Sequence, residues 1–126
     1  MIDIALRNFI LNNTTISGYT SNVYPQRLPQ NTTTASIVYS VYDGYPSVQV
    51  GSVSPISETN IQLDVYSPTY GECRNLTNEL ITIFNGYNGS LDTLEVSGSY
   101  CRNVINIYEE KLNLYRATID INVHVK

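Results

Sequence analysis

The hydrophobic pattern is clearest between Thr59 and Gly86, and the rest of the chain can be placed around that stretch. Ile61, Leu63 and Val65 alternate with Gln62 and Asp64, the period of a half-buried strand. Pro68 breaks the period. Thr69 followed by Glu72 fits a capping box, in which each side chain satisfies a free backbone N–H at a helix start. Beyond it Cys73, Leu76, Leu80, Ile83 and Phe84 fall on one helical face. Asn85-Gly86 ends the pattern where a positive φ is wanted. The stretch predicts a strand, a corner and a helix packed on one face of a sheet.

Upstream, Met1 to Asn12 predicts a first helix, with Ile2, Leu6, Phe9 and Ile10 on a shared face and Asn12-Asn13 ending it. Residues 13–34 are rich in Asn, Thr, Ser, Gln and Pro, with Pro25 and Pro29 flanking Gln26-Arg27-Leu28. Such composition favours extended, weakly structured backbone. A surface loop is the plain reading. A loop of that length is uncommon in a compact domain unless it serves a purpose, so an arm that packs on a neighbouring subunit competes with it. Ala35–Tyr42 predicts a strand with two fairly apolar faces. Asp43-Gly44 marks a turn, and 47–53 predicts either a second strand through Val48 and Val50 or part of a long hairpin loop over 43–58.

Downstream of the helix, Tyr87–Ser90 is turn chemistry. Leu91–Ser97 predicts a short strand and Tyr100–Tyr108 another, with Glu109-Glu110-Lys111 as a polar hairpin tip. The last segment alternates most strictly. Tyr115, Ala117, Ile119, Ile121, Val123 and Val125 point one way, and Arg116, Thr118, Asp120, Asn122, His124 and Lys126 the other. That predicts an antiparallel strand with one solvated face. The expected class is α+β: a mostly antiparallel sheet of about four to six strands with two helices packed on one face.

Composition narrows the function. At 126 residues the chain fits a single domain spanning 1–126, with 42% apolar and only 14% charged residues. Its polar surface therefore rests on Asn, Thr, Ser and Gln. Eleven Tyr against two Phe and no Trp supply contact area with a polar tip, as interfaces do. Tyr standing in for Phe along strands is the equal alternative. A net charge of −4 argues against a nucleic-acid binder. No apolar stretch approaches bilayer length, and MIDIALRNFILNN lacks the features of a signal peptide. The two cysteines, Cys73 and Cys101, are too few for a disulfide framework and fit buried apolar positions in a reducing compartment.

Reactive chemistry is sparse. His124 shares the polar side of the last strand with Asp120, but no hydroxyl near it has an activating context, so an exposed histidine is the plain reading. One His and two separated Cys do not make a metal set. Glu109 and Glu110 are adjacent on a hairpin, where side chains diverge, and fit a solvated tip better than an acid–base pair. No phosphate-binding glycine loop is present. The Asn-x-Ser/Thr triplets at Asn12, Asn13, Asn31, Asn75 and Asn88 fit chance matches in an Asn/Thr-rich chain.

The order and spacing of these elements resemble the phage tail completion, or tail terminator, family. A short N-terminal helix precedes the Pro-containing VYPQRLPQ at 23–30. The strand ASIVYSVY and a loop follow. Then come IQLDVYSPTYGECRNLTNELITIF at 61–84, the Tyr108-Glu109 turn and the closing LYRATIDINVHV at 114–125. The resemblance covers nearly the whole chain and rests on order, without a specific motif. It implies structural work with no catalysis and no cofactor: a homohexameric ring on the head-proximal end of the tail tube. Such a ring stops tube polymerisation and docks the head–tail connector. The implied partners are a second copy of the chain, the tail tube protein and the connector or stopper. The implied location is the virion tail, with host cytoplasm during assembly. No membrane and no sequence-specific nucleic acid is implied, the ring lumen being open to passing DNA.

A closed ring needs a head-to-tail interface between two different patches. The segments leaving the strand–helix unit, 19–34 and 43–58, are where those patches are expected. The candidate contact residues are Tyr24, Arg27, Leu28, Tyr42, Tyr45, Val48 and Val50. Two alternatives stand: another head–tail joining or tail tube subunit, and, from a different class, a small ligand-binding or hydrolytic α+β domain.

Overall fold

The computed structural model describes residues 2–20, 22–29, 34–43, 48–49, 52–53, 57–91 and 94–125. Three helices, α1 (Ile2–Leu11), α2 (Thr14–Tyr19) and α3 (Tyr70–Phe84), accompany eight strands: β1 (Val23–Pro25), β2 (Ser36–Asp43), β3 (Val48–Gln49), β4 (Ser52–Val53), β5 (Ser57–Ser67), β6 (Gly89–Leu91), β7 (Leu94–Glu109) and β8 (Leu114–Val125). Six strands form one sheet in the order β1-β2-β5-β8-β7-β6. The expected α+β class holds, and the sheet is mostly antiparallel as expected, with β1 alone running parallel to its neighbour β2. A third helix, α2, joins the two expected.

The central strand–corner–helix unit forms as its pattern predicts. Ile61, Leu63 and Val65 are buried on the inner face of β5, and Cys73, Leu76, Leu80 and Phe84 on α3 meet them. Thr77 takes a fully buried place on that helix face by donating its hydroxyl to the Cys73 carbonyl at 2.7 Å, while Ile83 packs only at the margin. Thr69 caps α3, its hydroxyl accepting from the Glu72 N–H at 3.4 Å. The return half of the box is relayed. Glu72 accepts from the Ser67 hydroxyl at 2.7 Å, and Ser67 in turn accepts from the Thr69 N–H at 3.2 Å. Gly86 takes φ 77° just past the helix, the left-handed conformation a glycine adopts without strain.

One buried cluster joins all three helices to the sheet. The inner rows follow from the register: Ile37, Val65 and Ala117 in one, Tyr39, Leu63, Ile119 and Val104 in the next, then Val41, Ile61, Ile121 and Cys101. From α1, Leu6 and Ile10 enter the core, and the Phe9 ring stands 5.3 Å from Phe84 and 4.9 Å from Tyr87.

Three local expectations are corrected. Residues 13–29 are not a plain loop. Asn13 caps the short α2 by accepting from the Ile16 N–H at 2.9 Å, and Ile16 is fully buried. β1 then pairs with β2, extended by Gln26 N–H donating to the Tyr39 carbonyl at 2.8 Å. Of the 47–53 region, where a second strand or part of a hairpin loop is expected, the described residues Val48–Gln49 and Ser52–Val53 stay outside the main sheet. Val48 pairs with Val53 in a separate two-stranded sheet. The two strands expected over 91–97 and 100–108 are not separate: 94–97 and 100–108 belong to the 16-residue β7, while Leu91 ends β6, and the register shifts of β7 at Ser97 and Arg102 mark bulges that bend it.

Candidate assembly surfaces

Among the described residues the helices lie on one face of the sheet and none covers the other, whose rows also follow from the register. Tyr24, Val38, Asp64, Thr118 and Ile105 form one row, and Ser36, Tyr66, Arg116 and Ile107 the next. Its centre is a charged network. Asp64 Oδ1 accepts from Arg116 Nε at 3.3 Å, from Arg116 Nη2 at 3.2 Å and from Thr118 Oγ1 at 2.7 Å. Its Oδ2 accepts from Gln62 Nε2 at 3.2 Å. Arg116 Nη1 donates to Glu109 at 2.8 Å, and the guanidinium lies 5.7 Å from the centre of the Tyr66 ring.

Electrostatics follows from that packing. Burial alone would lower the Arg116 pKa, but the Glu109 hydrogen bond and the Asp64 charge outweigh it and the pKa is raised. Burial raises the Tyr66 phenol, with Arg116 pulling the other way. The face is thus less solvated than the alternation of β8 predicts. Asp64 is 5% exposed and Asn122, donating to Asn60 Oδ1 at 2.9 Å, is fully buried. Asp64 spends its lone pairs on fixed donors of its own sheet, an arrangement that holds strands in register.

The apolar exposure lies toward one edge. β6 covers β7 only at Leu94–Val96. Next along that edge, the loop after α3 caps it: Gly86 N–H donates to the Ser99 carbonyl at 2.7 Å and Cys101 N–H to Asn85 Oδ1 at 3.2 Å. From Asn103 to Tyr108 the outer edge of β7 has no strand partner among the described residues. Ile105 and Ile107 on this edge are each 47% exposed. An open edge with apolar side chains is a template for another chain. On the helix side of the same edge, Tyr70, Cys73, Asn106, Ile107, Tyr108, Tyr115 and Arg116 line a groove of about 180 Å³. Its aromatic wall is ordered, with Tyr70 5.7 Å and Tyr108 4.9 Å from Tyr115, both edge-on.

A solved chain from the "virion of native gene transfer agent (GTA) particle" superposes with a TM-score of 0.69, covering 98% of this chain and 96% of that one at 13% identity. At that identity the likeness is one of fold. No family model and no curated protein sequence matches the chain.

The sequence-derived contact residues fall at two places. Tyr24, Arg27 and Leu28 lie together on and just beyond β1, the edge opposite β7. Arg27 is exposed, Tyr24 and Leu28 are half-buried, and Pro25 ends the strand with no N–H to offer a neighbour. Tyr42 pairs with Asn60, and Val48 with Val53, at the far end of β2 and beyond it. Tyr45 and Val50 lie outside the described residues. The pattern did not single out the Tyr70–Tyr108–Tyr115 groove or the Ile105–Ile107 edge. Its only signal was the excess of Tyr and the apolar residues on both faces of 104–108.

Among the described residues no group of His, Cys, Asp and Glu could hold a metal ion. His124 stacks on Tyr100, with centroids 6.1 Å apart. Cys73 and Cys101 are free thiols, the first buried and the second partly so, and burial raises the pKa of both. No helix among the described residues is long and apolar enough to cross a membrane.

Proposed function

We propose that the chain is a non-enzymatic structural virion protein: a tail terminator that closes into a homohexameric ring on the head-proximal end of a tail tube. One rim of the ring meets the tail tube protein, and the other meets the head–tail connector or stopper. The observation that carries this reading is the match of nearly the whole chain, at TM-score 0.69, to a chain of a gene transfer agent virion. The order of elements in the sequence supports the terminator role within that class.

The surfaces agree with a ring. Head-to-tail closure joins two unlike patches, and the opposite edges of this sheet are unlike. One is the short, Pro-ended β1 with its exposed Arg27. The other is the open, apolar β7 flanked by tyrosines. The test is to mix the purified chain with polymerising tail tube protein and image the product. Tubes of limited length with a ring at one end support the reading. Incorporation of the chain along the tube wall would make it a tube subunit instead.

A further inference from the structure

We infer that Asn88 is a site of spontaneous covalent modification, where the folded chain deamidates through a succinimide to aspartate and isoaspartate, while the fold shields Asn85. The chain has two Asn-Gly pairs three residues apart, Asn85-Gly86 and Asn88-Gly89. A glycine after asparagine leaves the main-chain nitrogen open to approach, because no Cβ stands beside it. In the reaction the Gly89 nitrogen gives its proton to solvent hydroxide and attacks Asn88 Cγ. The new N–Cγ bond closes a five-membered ring, the Cγ–Nδ2 bond breaks, and the amide nitrogen takes a proton from water and leaves as ammonia. Water then opens the ring. Attack at Cγ gives aspartate, and attack at the main-chain carbonyl gives isoaspartate, whose backbone is longer by one carbon.

The structure separates two pairs that look alike in sequence. Both asparagines are exposed. Asn85 is held at the two atoms groups that would react: its Oδ1 accepts from Cys101 N–H at 3.2 Å, and Gly86 N–H donates to the Ser99 carbonyl at 2.7 Å. Its own N–H donates to the Ile81 carbonyl at 2.8 Å. Among the described residues no hydrogen bond holds the Asn88 side chain. Asn88 and Gly89 line an open hollow of about 230 Å³ with Ser90, Glu95 and Val96, so water reaches the site. Gly89 begins β6, a strand of three residues, and such an end opens at little cost.

Conversion should loosen β6. The new carboxylate shares its hollow with Glu95, a like charge that faces Ser90 across the β6–β7 pair. The added backbone carbon of isoaspartate falls inside the turn that the Tyr87 hydroxyl closes on the Ser90 carbonyl. Because β6 covers β7 at Leu94–Val96, the modified chain exposes more of that edge.

The test follows both sites in the unmodified chain at mildly alkaline pH, folded and in urea, by peptide mapping with mass spectrometry. In the folded chain Asn88 is expected to deamidate at least about tenfold faster than Asn85, the rate cost of giving up two hydrogen bonds before attack. In urea the two sites are expected to react at similar rates. Equal rates in the folded chain, or the same preference for Asn88 in urea, overturn the assignment of the difference to the fold. Hydrogen exchange on the modified fraction is expected to be faster at Leu94–Val96, and unchanged exchange there overturns the link to the β7 edge.

Discussion

Arg116 on β8 grips Asp64 on β5 across the middle of the sheet, Nη2 3.2 Å from Oδ1, and reaches on to Glu109 on β7. One guanidinium thus ties three neighbouring strands on the face opposite the helices. With Asp64 nearly fully buried, Asp64→Ala takes the acceptor from Thr118 Oγ1 and Gln62 Nε2 and leaves Arg116 with Glu109 alone. The variant is expected to lose about 3 kcal/mol of unfolding free energy, as removal of one partner of a buried pair does. Replacing both partners by packed apolar residues, Asp64→Leu with Arg116→Met, is expected to recover most of that loss. Urea unfolding of the two variants measures the difference.

The relayed cap of α3 gives a second outcome. Thr69→Ala is expected to cost about 1 kcal/mol, the usual loss for a helix N-cap. Ser67→Ala should cost at least as much, about 1–2 kcal/mol, because the fully buried Ser67 links the Thr69 N–H to the Glu72 carboxylate. A direct capping box would leave Ser67→Ala neutral. Urea midpoints of the two variants separate the relay from the direct form.

Alkaline pH should loosen the fold. Burial raises the Cys73 and Cys101 thiols above their ordinary value of 9.0 and the Tyr66 phenol above 10.0. In each case the unfolded chain gives up its proton at lower pH than the native one. Stability from these groups is therefore full below about pH 9 and falls as pH rises from there through the native values. The melting temperature is expected to be unaffected by these groups up to pH 8 and to decline above 9, with Cys101→Ser reducing the early part of the decline. A pH series of thermal melts checks it.

Core and the β1 edge should separate under mutation. Leu80 is fully buried between α3 and the sheet. Leu80→Ala is expected to cost about 3 kcal/mol, and Leu80→Asp, which buries a charge with no partner, should unfold the chain. Arg27→Ala, at an exposed position, should leave the melting temperature within about 1 °C, the scale of a surface change well under 0.5 kcal/mol. If both kinds of variant lost the fold alike, the division between a rigid platform and assembly edges would be wrong.

Much of the fold was legible in the sequence because its elements carry strong periods. β5, α3 and β8 show clean alternation or a clean helical face, and each lies where its pattern puts it. The misses share a cause: the deciding contact is non-local or hidden by composition. α2 spans six residues and depends on the Asn13 cap and on burying Ile16. β1 exists because β2 pairs with it in parallel, which no local pattern announces. The long β7 read as two strands because its Ser97-Gly98-Ser99 run and its bulges interrupt the alternation. The polar side of β8 read as a solvated face, but cross-strand partners such as Asp64 and Asn60 bury much of it. The tyrosine groove needs α3 beside the β7–β8 hairpin, so only the assembled fold brings Tyr70 to Tyr115.

The most direct measurement of the central claim is the mass of the purified chain in solution by size exclusion with light scattering, with negative-stain images of the same fractions. The expected result is a discrete species of hexamer mass that images as closed rings. A clean monomer at high protein concentration, or filaments that lengthen without limit, would contradict it.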